Sequence, residues 1–157
     1  LLRESPGRVL VFTSSPSTWL QQCAIAGAAL ADDGAISHRA AARLHRLDGL
    51  LEDLVEIILR ARRRFPIPGV ICHRTPLLPP SDIYEIEGIR VTGLARTLAD
   101  LGSVVGSDLV LRALDTARRR DVSMRWVRTT AERLHRPGQR GTGVLLTLLD
   151  RIAAGDD

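Results

Sequence analysis

The chain has no lysine: all 22 of its basic residues are arginine. Aromatic residues make up only 3% of the 157 positions, so a core has to come from leucine, valine, isoleucine and alanine. Cysteine is nearly absent. Cys23 and Cys72 stand far apart in apolar runs, with no C-x-x-C pair and no Cys/His spacing that fits zinc. That pattern predicts two buried, reduced thiols in a cytoplasmic protein. No apolar run approaches the roughly 20 residues of a membrane helix, which excludes a membrane partner of that kind. Leu1-Leu2-Arg3-Glu4 lacks the pattern of a signal peptide. A G-x-x-x-x-G-K-[ST] phosphate loop and a G-x-S-x-G nucleophile elbow are both missing. Carboxylates do not cluster: Glu56 is a lone acid in an apolar run, and there is no lysine to join it. The four histidines, His38, His45, His73 and His135, make no metal set by spacing. We therefore expect no catalytic residue, no metal and no cofactor.

What is present suits a folded domain. Hydrophobic residues reach 45%, and 157 residues are enough for one real core. The chain is organised around residues 35–47, AISHRAAARLHRL. Ala35-Ile36 is short and apolar. Ser37 reads as a helix N-cap, and Ala40, Ala41, Leu44 and Leu47 recur at helical spacing, with Gly49 as the C-cap. Ser37 and His38 then stand at a helix N-terminus, where exposed amides favour an anion. His38 and His73 are each followed by an arginine, Arg39 and Arg74, and a His-Arg pair can hold a phosphate or carboxylate. The structural alternative is a capped helix on a sheet with ordinary hydrogen-bonded histidines.

The remaining pattern is α+β. Arg8 to Phe12 reads as a strand between Pro6-Gly7 and Thr13-Ser14-Ser15-Pro16. Ser17 or Thr18 caps a helix ending near Asp32. Leu54 to Leu59 and Val70 to Arg74 read as strands, joined by an Arg-rich segment and the turn Phe65 to Gly69, and a compact connection predicts antiparallel pairing. Ile83 to Thr92 reads as a hairpin around Glu87-Gly88. From Gly93 the pattern is helical: Leu94 to Leu101, a helix capped by Ser107, one capped by Ser123 and running to about Leu134, and one near Thr142 to Ile152. The expected architecture is a single α+β domain over residues 1–157. Its mixed, largely antiparallel sheet uses strands near residues 8, 55, 70, 84 and 90. Helices cover it, with a helical C-terminal part over 94–154.

Charge is unevenly placed. Residues 112–140 hold nine arginines, Arg112, Arg118, Arg119, Arg120, Arg125, Arg128, Arg133, Arg136 and Arg140, against Asp115, Asp121 and Glu132. That segment's net +6 exceeds the +4 of the whole chain. It is the footprint of a nucleic-acid surface, or a solvated arginine face that includes cations capping a helix C-terminus.

Several stretches in order, TWLQQCAIAGAAL, SHRAAARLHRLDGL, VEIIL, PGVICHRT, GIRVTGLARTLADL and RALDTARRR, resemble the actinobacterial AbiEi-type antitoxins of type IV toxin–antitoxin systems. The resemblance spans roughly Arg8 to Arg140. It implies a non-enzymatic antitoxin or transcriptional-regulator core whose partner is a nucleotidyltransferase-like toxin, with double-stranded DNA as a further partner. The positions it carries over include Ser37, His38, Glu56, His73, Arg74, Arg96 and Asp100. Members of that family often carry an N-terminal winged helix, and some a C-terminal Vsr-like endonuclease domain. Neither is expected in these 157 residues. The second reading is therefore the DNA-positioning front half of a Vsr-like endonuclease-domain protein. A third is a phosphate- or small-molecule-binding enzyme around Ser37-His38 and His73-Arg74.

Overall fold

The computed structural model describes residues 2–5, 9–12, 18–60 and 68–155. The expected Pro6-Gly7 and Thr13 to Pro16 boundaries, a Ser17 cap and most of the Arg-rich connection before Pro68 lie outside them. The chain forms two compact units. The first comprises residues 1–41 and 52–92, and the second residues 42–51 and 93–157.

The first unit is a mixed sheet with one long helix. Strands β1 (Leu2–Ser5) and β2 (Val9–Phe12) pair antiparallel as a two-stranded ribbon. Helix α1 (Trp19–Leu30) follows, and the Thr18 hydroxyl caps it by accepting from the Gln21 amide at 3.1 Å. Next come β3 (Gly34–Ile36), the start of helix α2 (His38–Leu44), β4 (Val55–Arg60), β5 (Val70–Thr75), β6 (Ile83–Ile86) and β7 (Ile89–Thr92). These five strands form one sheet in the order β5-β4-β3-β7-β6. Helix α1 packs on β3, β4 and β7. The Trp19 indole donates to the Leu54 carbonyl at 2.7 Å.

Three expectations about the sheet need correction. The strands around residues 55 and 70 pair parallel, with Val55 opposite Val70 and Arg60 opposite Thr75. A short connection suggested a hairpin, but β4 is flanked on its other side by β3, to which it runs antiparallel. The strand near residue 8 does not join the main sheet; it pairs with β1. The sheet's central place belongs to the apolar stretch before Ser37. All three residues of β3 are buried, between antiparallel β4 and parallel β7. Gly34 permits this closeness: a Cβ there would run into the Ile58 carbonyl oxygen. The β6–β7 hairpin is as expected, and Glu87 and Gly88 both take positive φ, 51° and 75°. That is the backbone of a type I′ turn, which matches the strand twist.

The second unit is helical: α3 (Leu94–Leu101), α4 (Ser107–Arg119), α5 (Met124–Leu134) and α6 (Arg140–Ala153), together with the end of α2 and the turn after it. Helix α3 is the centre, with six of its eight residues buried, and it packs on α4, α5 and α6. Gly102 at its end and Gly141 in α6 bring the two backbones within a distance that no side chain would allow. Ser123 caps α5, accepting from the Trp126 amide at 3.2 Å. The N-cap position of α4 is Gly106 and not Ser107, and Val110, Ala113, Leu114, Thr116 and Ala117 form its buried side.

Helix α2 ends earlier than its apolar spacing implies. The Arg46 amide bonds the Arg43 carbonyl and the Leu47 amide bonds the Ala42 carbonyl, each at 2.9 Å, while Arg46 sits at φ 56°. This is a left-handed terminus of the Schellman type, with arginine in the place glycine usually takes. Gly49 is therefore not the C-cap. Cys23 is buried as expected, but Cys72 is exposed, because β5 is an edge strand open on both faces.

Among the described residues, no helix is long and apolar enough to cross a membrane.

Candidate functional site

The convergence of side chains in the first unit is built on Glu56. This acid lies in β4 with apolar neighbours on both sides and is fully buried. A carboxylate without water needs partners, and the chain supplies them. The Arg39 side chain donates through Nε to Glu56 Oε1 at 2.6 Å and through a terminal nitrogen to Oε2 at 3.3 Å. The Arg39 backbone amide donates to Oε1 at 3.1 Å. His73 Nε2 lies 2.7 Å from Oε2. Burial alone pushes the Glu56 carboxyl up. The hydrogen bonds from His73 and Arg39, with the charges of Arg39 and His38, outweigh it and hold the group at about 2. The same pairing raises Arg39.

The expected anion site at the start of α2 is thus filled from within. The first-turn amide of Arg39 meets the Glu56 carboxylate, not a hydroxyl cap from Ser37. The buried Ser37 Oγ turns to His38 Nδ1 at 2.8 Å, while the Ser37 amide donates to the Glu56 carbonyl at 2.9 Å. His38 itself has φ 52°, a left-handed backbone unusual outside glycine and asparagine. That conformation accompanies a stacked contact of its ring with His73, with centroids 3.7 Å apart and planes 22° from parallel. Parallel pairing of β4 and β5 brings in the last member. Glu56 stands opposite Ile71, so Glu56 and His73 share one sheet face, two residues apart in register.

Of the positions expected to form a site, Ser37, His38, Arg39 and His73 come together. Arg74 does not join them: successive strand residues face opposite ways, so His73 and Arg74 cannot grip one ligand as a pair. Arg96 and Asp100 belong to the second unit. They form an ion pair of 2.9 Å along α3, with Arg96 buried. Glu56, a lone acid in the linear sequence, is the hub. The signal that could have found it is one charge inside an otherwise apolar buried strand, which demands a counter-charge. Spacing gave no metal set, yet His38, Glu56 and His73 each place one ligand-type atom within 4.8 Å of the others.

The basic segment lies in the second unit, and several of its arginines are already engaged. Arg118 pairs with Asp115 at 3.3 Å and Arg119 with Asp48 at 2.6 Å. Arg120 donates to the carbonyls of His45 and Arg46, at the end of α2. Arg128 meets Asp150 at 2.7 Å. Arg136 donates to the Arg133 and His135 carbonyls. Arg112, Arg125, Arg133 and Arg140 are exposed, and Arg125 sits beside the partly exposed Trp126. The Arg118–Arg120 run is therefore structural, and its third member caps a neighbouring helix end. Replacing Arg120 by alanine should cost about 1 kcal/mol of stability, the scale of one lost charge-assisted cap. Urea unfolding checks this; an unchanged midpoint would remove Arg120 from the capping role.

No protein-family model matches the chain, and no curated protein resembles it significantly.

Proposed function

We propose that the chain is the non-enzymatic core of an antitoxin-type regulator, which binds a nucleotidyltransferase-like toxin and, through its second unit, double-stranded DNA. The observation that carries this reading is the closure of the Glu56 network. Both carboxylate oxygens are taken by Arg39 and His73, and Ser37 is fully buried. A group held this way organises the start of α2 and the β4–β5 pair; it does not wait for a substrate proton. The ordered resemblance of the sequence to AbiEi-type antitoxins supplies the partner class.

The exposed arginines of α4, α5 and α6 support the second reading, in which these residues position DNA for a Vsr-like nuclease. Co-expression separates the two. Under the first reading, the chain restores growth to cells expressing a nucleotidyltransferase-like toxin, and the two co-purify. A folded chain that neither restores growth nor binds that protein overturns the antitoxin reading. Duplex binding without rescue favours the second.

A further inference from the structure

We propose that His38, Glu56 and His73 together bind one divalent first-row transition ion of the zinc class, joining the start of α2 to β4 and β5. The inference does not depend on the antitoxin reading. Three observations carry it. Two imidazoles and a carboxylate present ligand atoms within 4.8 Å of one another. That donor set suits zinc, cobalt or nickel and not calcium or magnesium, which prefer all-oxygen shells.

The surroundings also have the form of an outer shell. Ser37 Oγ lies 2.8 Å from His38 Nδ1, a hydrogen bond of the kind that orients a ligating imidazole. The Arg39 amide and Nε hold Glu56 Oε1, which orients the carboxylate while Oε2 faces His73. Finally, the left-handed backbone of His38 is strain placed at the residue that completes the set.

The rings now stack at 3.7 Å, so one of them has to turn before both lone pairs meet one ion. His73 has the freedom to do so. It lies on the edge strand with a quarter of its side chain exposed, whereas His38 is 4% exposed. Metal entry replaces the His73–Glu56 hydrogen bond. The proton in that bond leaves to solvent, and the carboxylate and imidazole lone pairs go to the ion. Solvent on the His73 side supplies the fourth ligand, as water or a side chain from a partner. The Arg39 guanidinium repels a second positive charge, so the site should bind less tightly than a three-histidine centre.

The test uses the full chain stripped with chelator and titrated with cobalt(II). Visible absorption bands of low-symmetry cobalt should grow and saturate at one equivalent. Zinc at about 100 times its dissociation constant should raise the thermal midpoint by about 5–10 °C, and magnesium should not. His73→Gln, on the exposed edge, should keep a folded circular-dichroism spectrum and lose both effects. Ser37→Ala should weaken binding about 10–100-fold, the usual cost of removing an outer-shell partner. A variant carrying His45→Gln and His135→Gln should bind as wild type. Absence of a saturable cobalt spectrum, binding that survives both His73→Gln and His38→Gln, or binding lost only with His45 and His135 would each overturn the proposal.

Discussion

Replacing Glu56 by alanine should destabilise the metal-free protein by about 3–5 kcal/mol, the range for breaking a buried charge pair by removing one partner. The loss has two parts. Arg39 keeps a guanidinium and a backbone amide whose carboxylate acceptor has gone, and His73 Nε2 loses the carboxylate oxygen it meets at 2.7 Å. Glu56→Gln should lose less, since one carboxamide oxygen still accepts. Urea unfolding in the presence of chelator measures both. The acid limb isolates the charge. The Glu56 carboxyl is held at about 2 in the folded chain against an ordinary 4.5. A folded value below the unfolded one means the stabilisation is complete above pH 4.5 and is lost as the pH falls through about 2. The shift corresponds to about 3 kcal/mol at neutral pH. Stability of the wild type should therefore fall toward that of Glu56→Gln between pH 5 and pH 2. Curves that stay parallel across the window would show that Glu56 is not held by charge.

Salt should weaken duplex DNA binding by the second unit on the order of 10²-fold between 50 and 200 mM, if four phosphates are engaged at a slope of about 0.9 each. The arrangement of the arginines decides which substitutions change that slope. Arg118, Arg119 and Arg120 are tied to Asp115, Asp48 and two carbonyls. Their joint replacement by alanine should lower stability and leave the slope nearly unchanged. Replacing Arg125 and Arg140 should shallow it by about 0.9 for each contact removed. Fluorescence anisotropy with a random duplex at four salt concentrations reads both. No binding at 50 mM salt would remove DNA as a partner of this segment and leave a protein as the basic surface's counterpart.

The elements that reasoning from residues placed correctly carry their signals locally. Thr18 and Ser123 cap the helices they precede. Glu87-Gly88 folds the hairpin it was expected to fold, because a left-handed pair closes a two-residue turn with the twist of the strands it joins. The mistakes concern pairing between distant segments. A connection of nine residues between Arg60 and Val70 looks like a hairpin loop, and nothing in it announces a parallel neighbour. Three residues, Gly34 to Ile36, are too few to show alternation, yet they hold the middle of the sheet. The site failed to show for the same reason. His38, Glu56 and His73 are 18 and 17 positions apart, and only strand order brings them together. The end of α2 was misplaced because arginine adopts the backbone expected of glycine, with Arg120 stabilising the carbonyls there.

The placement of β3 bears on how the chain acquires its structure in time. Ile36 pairs with Ile57 on one side and Val91 on the other, so the middle of the sheet is closed by segments up to 55 positions away. Contacts of such sequence separation slow folding, because a large loop must close before they contribute. On a ribosome, β3 emerges long before β7. Until residue 91 has cleared the exit, one edge of an apolar three-residue strand lacks its native neighbour. The adjoining β4, buried over five of its six residues, pairs with β3 before it and waits only for β5, 15 positions later. That interval is when the nascent chain is most exposed to wrong strand pairing. Cutting the gene after residue 88 would make the interval permanent, whereas moving the β6–β7 hairpin ahead of α1 by circular permutation would shorten it.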